Sequence, residues 1–178
     1  MNLIYISGSP RKKKSNTDYL LNIILSITGG EFIKLTDYHI EPCKSCRDYR
    51  RTGRCLIHDD MQKIIIPKIL KCDGMVLGSP VYFNNVSAQM KSFMDRTHSL
   101  VGLLKNKVGG AVVVGRRYGA ENAITVINAF FLKHEIIPVN RGVFGIAFNQ
   151  GEIEKDVEAI ESAERLGTRI IEIINLLG

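Results

Sequence analysis

Short apolar runs bounded by turn residues alternate along this chain with stretches whose apolar positions recur at the helical period. Leu3–Ser7 predicts a buried strand that closes in Gly8-Ser9-Pro10. Ser15 or Asn16 then caps a helix reaching about Ile27, with Ser15-Asn16-Thr17-Asp18 as a capping-box-like start and Gly29-Gly30 as its stop. A second strand over 31–35 leads into a loop that holds three of the four cysteines. Asp59 or Asp60 opens a helix through Met61, Ile64, Ile65 and Ile69, in which Pro67 predicts a kink or an early end. A third strand over 75–78 is broken by Ser79-Pro80, and a helix over 86–97 follows with Met90, Phe93 and Met94 on one face. The fourth strand, 111–114, ends at Gly115; a helix over 120–135 and a short fifth strand over 136–139 come next. From Ile153 to Leu177 the positions Val157, Ile160, Ala163, Leu166, Ile170 and Ile174 keep the helical spacing.

The strands are continuously apolar rather than alternating, so both of their faces are buried, as in a parallel sheet covered by helices. Successive βα units then predict an α/β three-layer sandwich on a five-stranded parallel sheet, one domain over 1–178. Pattern alone does not separate strand order 2-1-3-4-5 from other doubly wound orders. In each of them a ligand belongs at the carboxyl ends of the strands, where the order reverses.

Composition narrows this little: 45% hydrophobic and 24% charged residues are ordinary for a globular protein. No apolar run approaches the roughly 20 residues of a membrane span, and no membrane partner is expected. The N-terminal stretch lacks the charged start and cleavage site of a signal peptide, and four cysteines are too few for a secreted scaffold, so a cytoplasmic location is expected. The net charge of +6 is uneven. Arg11 to Lys14 make one basic loop; Arg47, Arg50, Arg51 and Arg54 make another, offset by Asp48; the last helix is acidic. Two basic loops on a balanced domain suit a small phosphorylated ligand better than nucleic acid, which needs a basic face.

Three strand ends carry unusual sequence. Ser9, Ser15, Asn16 and Thr17 stand between a strand and a helix start, where hydroxyls, backbone N–H groups and the helix dipole converge on an anion and Arg11 can neutralise it. A well-capped polar turn would look the same. Pro80, Val81, Tyr82, Phe83 and Asn84 form a rigid, partly apolar segment after the third strand, fit to wall a flat heterocycle or to tuck into the core. Gly115, Arg116, Tyr118 and Gly119 allow close backbone approach and stacking. Neither a dinucleotide glycine fingerprint nor a Walker motif is present. Together the three loops describe a phosphate cradle facing a flat-ring slot, the requirement of a mononucleotide.

At these residues the chain resembles the NAD(P)H-dependent FMN reductases, in the branch that includes the iron–sulfur flavoproteins. The matching stretches are Ser7 to Arg11 with Ser15-Asn16-Thr17, Pro42-Cys43-x-x-Cys46, Gly53-x-Cys55-x-x-x-Asp59-Asp60-Met61, and the run from Gly78 through Val81-Tyr82-Phe83 and Val86-Ser87-Ala88-Gln89-Met90 to Asp95-Arg96. The resemblance implies a flavodoxin-like fold of order 2-1-3-4-5 and non-covalent FMN as cofactor. It puts the phosphate on Ser9, Arg11, Ser15, Asn16 and Thr17, the isoalloxazine along Pro80 to Asn84, and its far side against Gly115, Arg116, Tyr118 and Gly119. It further implies a homodimer or homotetramer that takes electrons from NAD(P)H by ping-pong hydride transfer. The acceptor would be a quinone, free flavin, iron chelate or carrier protein. Two alternatives keep the fold: an electron carrier that does not meet a nicotinamide, and a redox-sensing regulatory protein. A signalling receiver is disfavoured, because Ser7-Gly8 stand where it needs acidic residues.

Relatives with a [4Fe–4S] cluster carry C-x-x-C-x-x-C and a fourth cysteine in this loop. Here Cys43, Cys46 and Cys55 fit, but Tyr49 stands at the third position. The leading expectation is a metal-free loop, with a Cys43–Cys46 redox pair or plain thiols. A cluster with an odd ligand, or zinc on Cys43, Cys46, Cys55 and His58, stays open. Cys72 reads as a core residue, and His39, His98 and His134 as structural or exposed.

Overall fold

The computed structural model describes residues 1–178, the side chains of Arg50 and Arg51 excepted. Five successive strand–helix units build the sheet. They are β1 (Leu3–Ser7) with α1 (Asn16–Thr28), and β2 (Glu31–Lys34) followed by the short α2 (Tyr49–Thr52) and by α3 (Ile66–Lys71). Then come β3 (Gly74–Pro80) with α4 (Ala88–Arg96), β4 (Val108–Gly115) with α5 (Ala120–Lys133), and a fifth strand in two pieces before α6 (Val157–Leu177). The order along the sheet is β2-β1-β3-β4-β5, all parallel, as the resemblance implied.

Every residue of β1 and β4 is buried, which is the sandwiching that their unbroken apolar runs require. One core layer, with Ile4, Ile6, Met75, Leu77 and Val113, packs under α3, α4 and α5. The other, with Leu3, Tyr5, Val76 and Val112, packs under α1 and α6.

Two elements differ from the sequence expectation. The fifth strand is divided: β5 (Ile137–Pro138) pairs with the start of β4, and β6 (Val143–Ile146) pairs with its end. Pro138 donates no backbone hydrogen bond, and Gly142 lies at φ +122°, so the strand breaks and resumes one step on. At residues 61–71 the chain begins with a π-helical turn, Met61–Ile65, and Pro67 sits in the first turn of α3, where its missing N–H costs nothing. The helix shifts register ahead of the proline instead of kinking after it. The final helix starts at Val157, after a 3-10 turn over Glu152–Lys155. No helix among the described residues is long and apolar enough to cross a membrane.

Candidate functional site

At the carboxyl ends of β1, β3, β4 and β6 lies a cavity of about 380 Å³. Its floor is the start of α1. Ser15 caps that helix, its hydroxyl accepting from the Asp18 N–H at 3.1 Å and donating to Ser9 Oγ at 2.8 Å. Ser9, Ser15, Asn16 and Thr17 are all buried, although each is polar. Beneath them Ser7 donates to Asp18 at 2.5 Å, and Lys34 closes on the other Asp18 oxygen. The hydroxyls are therefore fixed before any ligand arrives, which lowers the entropy cost of binding an anion.

The wall opposite is the loop after β3. Tyr82 and Asn85 exchange backbone hydrogen bonds of 2.9 and 3.0 Å around Phe83 and Asn84, both at positive φ (48° and 60°). This is a tight turn of the kind normally given to Asn-Gly, and a phenylalanine held there stores backbone strain. The Phe83 ring is fully exposed. Ser87 joins wall to floor: its hydroxyl donates to the Gly8 carbonyl at 2.7 Å, while its N–H donates to Ser79 Oγ at 2.8 Å. The third loop meets the second at Gly119 (φ +84°), where a Cβ would fall 2.5 Å from Asn84 Cα.

Of the residues named from the sequence, Ser9, Arg11, Asn16, Thr17, Pro80, Val81, Tyr82, Phe83, Gly115 and Arg116 line this one cavity. Ser15 stands behind Ser9; Asn84, Tyr118 and Gly119 lie outside the lining. Asn16 turns its amide to other work: it donates to the Asn149 carbonyl at 2.9 Å and accepts from the Gly151 N–H at 2.8 Å. It thereby ties α1 to the segment after β6. Val114, Ala147 and Phe148 also line the cavity and were not anticipated. The last two directly follow β6, whose apolar run Val143-Phe144-Gly145-Ile146 was the available signal. The Arg117 guanidinium sits 6.0 Å from the centre of the Phe148 ring, over its face.

The comparisons with known proteins bear on this geometry. The model of the family described as NADPH-dependent FMN reductase matches residues 1–151. The chain belongs to that family. An iron–sulfur flavoprotein of Methanocaldococcus jannaschii is 40% identical, over 99% of each chain. An iron–sulfur flavoprotein of Archaeoglobus fulgidus is 34% identical, over 97% of this chain and 95% of its own. A flavodoxin from the domain Archaea superposes with a TM-score of 0.66 at 16% identity, over 98% of this chain and 99% of its own, which agrees with the fold. Membership places this chain among FMN-dependent oxidoreductases and electron carriers. The cavity fits such a group: buried hydroxyls at a helix N-terminus suit a phosphate, and the apolar and aromatic side chains of Pro80, Val81, Tyr82, Phe83 and Phe148 on the same lining suit a flat ring.

A second and larger cavity, about 730 Å³, lies between the cysteine loop and the ends of α4 and α5. Cys43 and Cys46 are exposed and Cys55 is half-buried on its lining. Tyr49 packs edge-on against His98 there, with ring centres 5.1 Å apart. A four-thiolate cluster does not fit this donor set. The loop has three cysteines, and Cys72 lies at the entry to β3, buried outside the cavity, its thiol bonded to the Ile69 carbonyl at 3.1 Å. Burial pushes the Cys72 thiol up to about 11. Among the described residues no three His, Cys, Asp or Glu side chains converge as metal ligands. His58 is exposed and outside the cavity lining; His39 is exposed beside Glu41, His98 is exposed, and His134 is buried against Thr97. The side chains of Arg50 and Arg51 lie outside the described residues.

Proposed function

We propose that this chain binds FMN in the cavity at the strand ends and uses it to pass electrons from NAD(P)H to a small acceptor or a carrier protein, donor and acceptor occupying the same open face in turn. One observation carries the reading: buried hydroxyls at a helix start and a partly apolar wall border a single cavity. Bound FMN supplies the two-electron redox chemistry, which protein side chains lack. The chain's own groups bind and orient. Ser9 and Thr17, with N–H groups at the start of α1, hold the phosphate, and Arg11 neutralises it. Ser15 keeps Ser9 turned toward the phosphate, and Asn16 acts through its brace on Asn149 and Gly151. Pro80, Val81, Tyr82 and Phe83 bear on the ring, with Asn84 shaping their turn; Gly115 and Arg116 close the far side, while Gly119 packs on Asn84 outside the lining. No side chain is needed as general acid or base.

Lys12, Lys13 and Lys14 are exposed beside Arg11 and attract an anionic nucleotide, which favours NADPH. The exposed Phe83, Tyr118 and Phe148 suit cover by a second copy in a homodimer or homotetramer acting in the cytoplasm.

The test is to titrate the apoprotein with FMN and with riboflavin, then mix the FMN form with NADPH anaerobically. Tighter binding of FMN, followed by bleaching without any added protein, is expected. Equal affinity for the two flavins would remove the phosphate site. An FMN form that NADPH and NADH leave oxidised would mean an electron carrier served by another protein.

A further inference from the structure

The cysteine loop is clasped at its base and open along its arc. The Arg96 guanidinium, buried on α4, donates to the Glu41 carbonyl at 2.6 Å before the cysteines. It also meets both oxygens of Asp59 after them, at 2.5 and 3.0 Å. Both feet of the loop are thus fixed to one buried ion pair, while Cys43 and Cys46 stand exposed on the arc with Lys44 and Ser45 between them.

The two thiols are not equivalent. The backbone turns back at Ser45 (φ 53°), so that the Ser45 N–H donates to Cys43 Sγ at 3.5 Å. The N–H aimed at sulfur sets the exposed Cys43 apart from Cys46 as the thiol through which disulfide exchange begins. The cavity behind has an apolar floor of Met94, Val126 and Phe130. At its rim Arg47 and Lys133 have no acidic partner among the described residues. The charge suits a small ligand bearing carboxylates.

We infer that Cys43 and Cys46 form a reversible dithiol–disulfide site, open to small anionic disulfides, in place of a four-thiolate iron–sulfur centre. Cys43 Sγ attacks one sulfur of the incoming disulfide, forming a mixed disulfide and releasing one thiol. Cys46 Sγ then attacks Cys43 Sγ, the second thiol leaves, and a Cys43–Cys46 bond remains. The protein is oxidised by two electrons, and the small disulfide is reduced to two thiols that carry away the protons. Cys72, buried and bonded, takes no part. The site stands independently of the flavin reading.

The probe is oxidised glutathione, with a neutral dithiodiethanol as its comparison, followed by intact-mass and peptide mapping of the anaerobically purified full chain. Wild type should become two hydrogens lighter, linked between Cys43 and Cys46. Cys46→Ser should accumulate a glutathione adduct on Cys43, and Cys43→Ser should accumulate none on Cys46. The anionic disulfide should react roughly tenfold faster than the neutral one at low salt. Adducts confined to Cys55, or equal rates for both disulfides, would overturn the site as described. So would a wild-type chain that takes up four irons and a brown absorbance from iron and sulfide. Tyr49→Cys is the counterpart: it supplies the fourth thiol, and it should gain iron and sulfide where wild type does not.

Discussion

Both cavities set polar loops against rigid elements, the strand ends in one and helices α4 and α5 in the other, and they differ in where the order comes from. The cavity at the strand ends is organised from within. Ser7, Ser9, Ser15, Asp18 and Ser87 bond to one another or to backbone, so that a wrong rotamer at one would orphan a buried partner. The cysteine loop has few such bonds along its arc and depends on its base. Burial alone would push the Asp59 carboxyl up, but the Arg96 guanidinium and the N–H groups of Glu41 and Gln62 outweigh it and hold it below the usual carboxylate range. A preorganised network suits tight binding of one ligand. A clasped but open arc suits thiols that must meet partners of different shape.

The largest effect should come from breaking the clasp. Arg96→Met leaves Asp59 buried without its cation, an error worth about 3–5 kcal/mol. Urea denaturation should show the loss, and Arg96→Met/Asp59→Leu should recover most of it. If the single variant were as stable as wild type, the ion pair would not be what holds the loop. Arg11→Ala comes next and touches only the other cavity. If FMN binds as proposed, it removes one charge-assisted contact to the phosphate and should weaken FMN binding by about 1.5–3 kcal/mol while leaving riboflavin affinity unchanged. A fluorescence titration with both flavins reads the two predictions of that variant together.

How far the sequence disclosed each region follows from the same difference. The parallel sheet and the position of its ligand edge follow from apolar runs and from the loops after β1 and β3, because local capping and turn chemistry leave local marks; the strand order came only with the family resemblance. Ser15 is one such mark: the spacing that names it a cap also names what it holds. The role of Asn16 was not legible, since its partners Asn149 and Gly151 are 133 and 135 residues away. For the same reason Ala147 and Phe148 were missed, a broken edge strand with a proline and a glycine having no clean period. Arg96 belongs with these. The motif that ends in Asp95-Arg96 puts it in the last turn of α4, but only the fold carries Glu41 and Asp59 to it.

A smaller effect is expected from Ser15→Ala, which costs the cap of α1 and frees Ser9 to rotate. Loss of an N-cap is worth about 1 kcal/mol in stability. The informative readout is the pair of measurements: FMN affinity should fall along with stability, because the hydroxyl that caps α1 also holds Ser9 at the floor proposed for the phosphate. Should stability drop while FMN affinity stays put, Ser9 would be held by something other than Ser15, and the cavity would be less interlocked than its hydrogen bonds imply.

The last contrast is in pH. His134 is buried beside the cysteine cavity, its Nε2 2.9 Å from Thr97 Oγ1, and the Thr97 hydroxyl already donates to the Met94 carbonyl at 2.7 Å. Nε2 therefore keeps its proton and donates to Thr97 in the neutral ring. Burial holds the imidazole below its ordinary value; the Leu100 carbonyl opposes this in part, while His98 and Lys133 add to it. In the unfolded chain the same ring takes up a proton near pH 6.5, about the ordinary value. Below that pH the unfolded state binds more protons than the folded one, so stability is full above it and falls as the solution is acidified toward the folded value. One proton limits the slope to about 1.4 kcal/mol per pH unit, and between pH 7 and pH 6 only part of that applies. His134→Gln should flatten the profile over this interval in urea melts, with FMN affinity unchanged at either pH because the ring lies on the other cavity. A profile as steep in the variant as in wild type would assign the proton to another group and leave His134 as packing alone.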